Sequence, residues 1–348
     1  MSTFLRFHRL IKILVFCLFF VPILAWGQSE QEVKLEKLAY QISQKDNPQQ
    51  SIDSLKLLIA KKPSMNILNL LGICYYFLED TSNEMEVFKK SISVYPKNNF
   101  AHIYMADLYK KMNQEDSQLK ALKAMLVDFP RDPRANFNLG WFYLVKDNQK
   151  AYDIFTKMKK SNIPILDESQ FNEGMGITLQ NLSRPQESNL YFDKALEQDK
   201  SPIFYLRKSV NHQRMNEPLK EIQQLQLAIA LFDSIQIERK IKKTAFMALG
   251  KAYKGIGEFE KARQPLLKYI EMEVEMKEEE KNPYPYFHLM ICEIELDHFD
   301  KACEYFKAAR KYGIEETDLF YETFGLDEDT TVFSSDKFDE FYSACVKE

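Results

Sequence analysis

Glycine is scarce in this chain, 10 in 348 residues, and proline is little commoner at 13. With Leu, Lys, Glu, Ala and Gln plentiful, that scarcity favours helix over strand and makes all-helical the expected class. General disorder is excluded by 45% hydrophobic and 28% charged positions, which supply a folded core. The five cysteines include no Cys-x-x-Cys pair, so neither a zinc site nor a disulfide framework is indicated. Most are expected as small core residues, with Cys292 and Cys303 the candidate pair in an oxidising compartment. The histidines form no His-x-x-x-His or His-Glu-x-x-His pair, so no metal site is expected. A Gly-x-Ser-x-Gly elbow is absent, and "GKAYKGIG" from Gly250 to Gly257 lacks the Gly-Lys-Ser/Thr ending of a phosphate loop. The acidic residues fall in runs such as "EMKEEEK", which read as solvated helix faces. No catalytic, cofactor-binding or metal-ligating constellation is present, and the expectation is a protein that is not an enzyme.

A long apolar run is also missing. "MSTFLRFHRLIK" carries Arg6, Arg9 and Lys12 and no acid, and is followed by an apolar stretch from Ile13 to Trp26. That stretch is short against the ~20 residues a membrane span needs, and Pro22 interrupts it. Ala25-Trp26-Gly27 offers small residues at both specificity positions of a cleavage site, so residues 1–27 read as a secretory signal and Gln28 as the mature start. Cys17 follows a bulky "LVF" and does not fit lipid attachment. Export to the periplasm or beyond is expected, with no stable membrane insertion after cleavage. Losing Arg6, Arg9 and Lys12 takes the net charge from −4 to −7, which gives nucleic acid and anionic lipid no global attraction.

What is present is a period. Leu71-Gly72-x-x-Tyr75 recurs as Met105-Ala106-x-x-Tyr109 and Leu139-Gly140-x-x-Tyr143, each step 34 residues, and Pro96, Pro130 and Pro164 keep the same interval. Leu249-Gly250-x-x-Tyr253 is a later copy. A companion pattern appears as Ala151-x-x-x-Phe155, Ser188-x-x-x-Phe192, Ala262-x-x-x-Leu266 and Ala302-x-x-x-Phe306. Tyr75, Phe88, Tyr109, Leu122, Tyr143 and Phe155 keep helical spacing from the small positions and are expected in the seams. A glycine inside a helix costs about 1 kcal/mol of propensity, which close packing at a helix crossing offsets. Leucine at Gly140 is expected to overpack that crossing, and alanine to be tolerated.

These residues resemble the tetratricopeptide repeat (TPR) family, whose pattern is Leu-Gly-x-x-Tyr on a first helix, Ala-x-x-x-Phe on a second, and a closing Pro. The resemblance implies an all-α, right-handed α-α superhelix of about eight helix-turn-helix repeats. Their markers are Ala39, Gly72, Ala106, Gly140, Gly176, Ser209, Gly250 and Met290, in a solenoid over residues 28–312. The repeats lie near 32–64, 65–98, 99–132, 133–168, 169–201, 202–242, 243–282 and 283–312. The last three are irregular, since "LFDSIQIERKIKKT" and "EMEVEMKEEEKNP" read as lengthened second helices or connections and Met290 breaks the small-residue rule. From Glu315 to Glu348 the chain holds 11 acids, two bases and seven aromatics. With Phe338, Phe341, Tyr342 and Cys345 on one helical face, residues 313–348 are expected to cap the array.

The resemblance also implies a ligand face on the first helices. Its positions fall on Asn66, Asn69, Ile73, Tyr76 and Phe77, then Phe100, Ile103, Asp107, Lys110 and Lys111, then Arg134, Phe137, Trp141, Leu144 and Val145. Tyr76, Phe77, Phe100, Phe137 and Trp141 are the expected centre of a partner site, rimmed by Lys110, Lys111 and Arg134. The competing reading buries these aromatics in the helix seams. The Lys and Asn clamp with which some relatives hold a C-terminal carboxylate is not reproduced, because Leu70 stands at one of its Asn positions. The expected function is a protein-interaction scaffold of a bacterial cell envelope, taking a peptide or partner protein on the concave face. The alternative is capture of a small molecule such as a glycan on the same aromatics.

Overall fold

The computed structural model describes residues 48–61, 64–235 and 237–314, together with Leu38, Phe341, Ser343 and Cys345. The signal segment, the helix marked by Ala39, and Phe338 and Tyr342 lie outside the described residues. Every regular element among those described is helical. The chain divides into two compact bodies, Met1–Leu166 and Asp167–Glu348.

In the first body, α1 (Pro48–Lys61) packs on the hairpin α2 (Met65–Phe77) and α3 (Thr81–Val94), which is followed by the hairpins α4 (Asn99–Lys111) with α5 (Glu115–Asp128) and α6 (Pro133–Leu144) with α7 (Asn148–Lys160). The second body holds α8 (Glu168–Asn181) with α9 (Pro185–Gln198), α10 (Pro202–Arg214) with α11 (Pro218–Ala230), α12 (Arg239–Gly255) with α13 (Phe259–Glu271), and α14 (Tyr284–Glu295) with α15 (Phe299–Lys311). Within each body every helix packs on its neighbours in sequence, which is the TPR arrangement of stacked hairpins.

The small residues are where the two helices of a hairpin meet. A Cβ added at Gly140 would lie 2.5 Å from Phe155 Cε1 and 2.7 Å from its Cζ; one at Gly176 would lie 2.6 Å from Phe192 Cε1, and one at Gly250 2.5 Å from Leu266 Cγ. Gly72 faces Phe88 in the same way. The glycine of the first motif and the large residue of the second are therefore two halves of one contact. Phe88, Phe155 and Phe192 are completely buried. The same geometry corrects the expectation for alanine at Gly140. Even a methyl group there would lie closer to the buried Phe155 ring than a Cβ contact allows, so the ring would have to shift.

The extra length of the seventh repeat falls elsewhere than expected. α12 runs 17 residues from Arg239, so part of "LFDSIQIERKIKKT" extends a first helix and not a second one. The long connection after α13 is tied down by Glu273, whose side chain is 1% exposed. It pairs with Lys243 and accepts the Asn282 backbone N–H at 3.2 Å.

At the end of the second body, Phe287, Ile291, Phe306, Ile314 and Phe341 form one buried cluster, and Phe341 meets Phe306 edge-on at 5.8 Å. Met290 fills the same cluster; its flexible thioether takes the place of the small marker residue. Cys345 is disulfide-bonded to Cys303, with Cα atoms 5.5 Å apart. The pairing considered for Cys292 with Cys303 is thus replaced. Cys292 is free and buried, and burial pushes its thiol up to about 12. Peptide mapping without reduction should recover Cys303 joined to Cys345, with Cys74 and Cys292 alkylated only after denaturation. Alkylated Cys303 in the native protein would contradict the pairing.

Candidate functional site

The first helices of the first body begin at side-chain caps that fix their register. Ser64 Oγ accepts the Ile67 N–H at 3.3 Å, Asn98 Oδ1 that of Ala101 at 3.3 Å, and Asp132 Oδ1 those of Arg134 and Ala135, each at 3.0 Å. Asn98 also bonds Asn69 and Ser91, at 2.7 and 2.8 Å. Asn69, on one of the expected ligand positions, is therefore a buried structural partner.

The expected site residues fall into two groups. On α2 and α4, the Tyr76 ring lies 5.7 Å from Phe77 and meets Tyr104 edge-on at 6.0 Å. Tyr104 stacks on Phe100 at 4.5 Å. Phe100 is 4% exposed and belongs to the core, so its ring offers a ligand no surface. On α6, the half-buried Trp141 lies 6.1 Å from Phe137, and its indole Nε1 is buried without a hydrogen-bond partner. Two contacts join the groups. The Arg134 guanidinium sits 5.8 Å over the Phe100 ring, and Asn138 Nδ2 donates to Asp107 Oδ1 at 3.2 Å. Lys110 is exposed. Lys111 places its Nζ 3.9 Å over the Tyr76 ring and 4.0 Å from a Glu84 carboxylate oxygen.

Glu84 is the residue that sequence reasoning missed. It stands on α3 in the first place of the second motif, Glu84-x-x-x-Phe88, where later repeats carry Gln118, Ala151, Ser188, Glu221, Ala262 and Ala302. Its side chain is 2% exposed and accepts no hydrogen bond among the described residues. Burial pushes its carboxyl up to about 7, with Lys111 pulling the other way and Asp107 adding to the rise. Asp107 is itself pushed up to about 6 by burial, against the pull of Lys110, Lys111 and Arg134. Burial raises the Tyr76 phenol too, followed by Asp107, Glu84 and Glu79. Tyr104 is 8% exposed and raised by burial first, then by Asp107 and Tyr76. These four side chains from three helices share one electrostatic environment, and the sequence signal for it was a charged residue at a packing position of the second motif.

The histidines do not assemble. His212 pairs with Glu217 at 2.7 Å and His298 with Glu293 at 2.9 Å, while His288 is buried and held down to about 3 by burial and by Lys254 and Lys251. Among the described residues no group of ligating side chains could hold a metal, and no helix is long and apolar enough to cross a membrane. Gly250 lies inside α12 and Gly257 in the turn after it, so "GKAYKGIG" is part of a hairpin and not a phosphate loop.

Comparison with known proteins agrees with this architecture. Residues 66–98, spanning α2 and α3, match the family described as tetratricopeptide repeat. Comparison with curated proteins gives no match. The C-terminal part of a TPR repeat-containing protein from Cytophaga hutchinsonii is 16% identical, covering 70% of this chain and 96% of that one, with a TM-score of 0.54. In the Cut9–Hcn1 hetero-tetramer of the APC/C, the matching chain is 12% identical, with 84% of this chain and 55% of that chain covered and a TM-score of 0.50. A TPR protein from Parabacteroides merdae is 18% identical, covering 76% and 99%, at 0.49. The chain has the TPR fold.

Proposed function

We propose that this protein is a non-enzymatic scaffold that takes an extended peptide, or a segment of a partner protein, along the face built by α2, α4 and α6. The observation that carries this reading is Trp141. A buried indole N–H is usually paired, and one left open beside a second aromatic ring suits a donor kept for a ligand acceptor such as a peptide carbonyl. Stacked hairpins hold such a face in one conformation, so a ligand binds without ordering it first. Tyr76 and Phe137 extend the aromatic surface, and Lys110 and Arg134 supply charge at its edge. Action outside the cytoplasm, in the cell envelope, is part of the proposal. It is supported by the basic and apolar start of the chain and by a disulfide, which persists in oxidising compartments.

Selection of peptides from a displayed random library tests the reading. The wild-type chain should enrich a related set, and Trp141→Ala should bind those peptides at least tenfold more weakly while its thermal midpoint changes little. If Trp141→Ala melts far below the wild type, Trp141 is a core residue and the reading loses its anchor.

A further inference from the structure

The cluster on α2, α3 and α4 is rich in acceptors. Glu84 contributes a carboxylate on a side chain 2% exposed, paired only at 4.0 Å with Lys111, and Tyr104 a hydroxyl on a side chain more than nine-tenths buried. Asp107 adds a carboxylate with one oxygen taken by Asn138, and Tyr76 an aromatic face. Lys110 and Arg134 also face Asp107; the cation nearest Glu84, Lys111, stands 4.0 Å from it, beyond hydrogen-bond distance, and its own side chain is 44% exposed. It lies over the Tyr76 ring at 3.9 Å without satisfying the carboxylate.

We propose that Tyr76, Glu84, Tyr104 and Asp107 form a seat for an alkylammonium group of the partner, of the kind a lysine side chain carries, and that Lys111 holds this seat loosely in the free protein. An ammonium has three N–H donors and no acceptor, which matches what the cluster lacks, and its methylene stem can lie along the tyrosine rings. A buried carboxylate only loosely paired weakens the fold, and groups that cost stability gather where ligands bind. This rests on the peptide-binding reading of the same face and names the chemistry of one side chain that the peptide supplies.

The test needs no partner. n-Butylammonium is titrated into isotope-labelled full chain, with n-butanol as the uncharged control, and followed by nuclear magnetic resonance. Lys111→Met removes the internal cation from an exposed position and keeps the apolar stem. It should bind n-butylammonium at least tenfold more tightly than wild type, with shifts centred on Tyr76, Glu84, Tyr104 and Asp107. Adding Glu84→Gln, or Glu84→Ala should the first double variant fold poorly, should abolish the gain. A Lys111→Met protein that binds no better than wild type, or a gain that survives loss of the Glu84 carboxylate, overturns the proposal. Peptide selection fails or succeeds independently of this titration, so the two readings are separately exposed.

Discussion

Alanine at Gly140 should destabilise the first body by about 1–2 kcal/mol, and leucine by more. Helix propensity alone favours alanine over glycine by about 1 kcal/mol, so the sign of the result decides which effect governs the site. The added methyl would sit 2.5 Å from Phe155, a completely buried ring, and overpacking of this kind costs about 1–3 kcal/mol before relaxation. Leucine cannot be absorbed by tilting one ring and should force α6 and α7 apart. Trp141 is the one tryptophan other than Trp26, so its fluorescence during denaturant melts reports on the body concerned. A higher midpoint for alanine would mean that α6 and α7 do not cross as closely as described.

The second large effect is a pH dependence of unusual sign. A carboxyl with a folded pKa of about 7 and an ordinary value of 4.5 binds more protons in the native than in the unfolded state between those values, so stability falls as pH rises through that window. A displacement of this size corresponds to on the order of 3 kcal/mol once the group is ionised in both states. Asp107, pushed up to about 6 from 3.8, acts in the same direction. The groups facing this pair are Tyr76 on α2, Glu79 after it, Tyr104, Lys110 and Lys111 on α4, and Arg134 on α6. The cations moderate the rise without cancelling it. The first body should therefore be more stable at pH 5 than at pH 8, and Glu84→Gln should both flatten the profile and raise stability at pH 8. A variant less stable than wild type at pH 8 would show that the carboxylate is well paired.

The fold was legible because its signal is steric and periodic. Gly72, Gly140, Gly176 and Gly250 are small for one reason, the ring or branched side chain opposite, and that reason recurs in these four hairpins. The site was legible only in part, because a repeat position does not fix how far a side chain reaches towards solvent. Phe100 turns inward and stacks on Tyr104, while Phe137 and Trp141 are only partly covered. Asn69 stands on an expected ligand position, yet its amide is consumed by Asn98. Glu84 was hidden for the opposite reason. The motif marks its place as packing, and only the depth of its side chain and the distance of Lys111 show that a charge is buried there with a loose partner.

Which face binds is the property to measure. Hydrogen exchange of the full chain with and without a selected peptide locates that face directly. The expected result is slowed exchange at the C-terminal halves of α2 and α4, around Tyr76 and Lys111, and along α6 from Phe137 to Leu144, with α5 and α7 unchanged. Protection confined to α5 and α7, or to the second body, would contradict it.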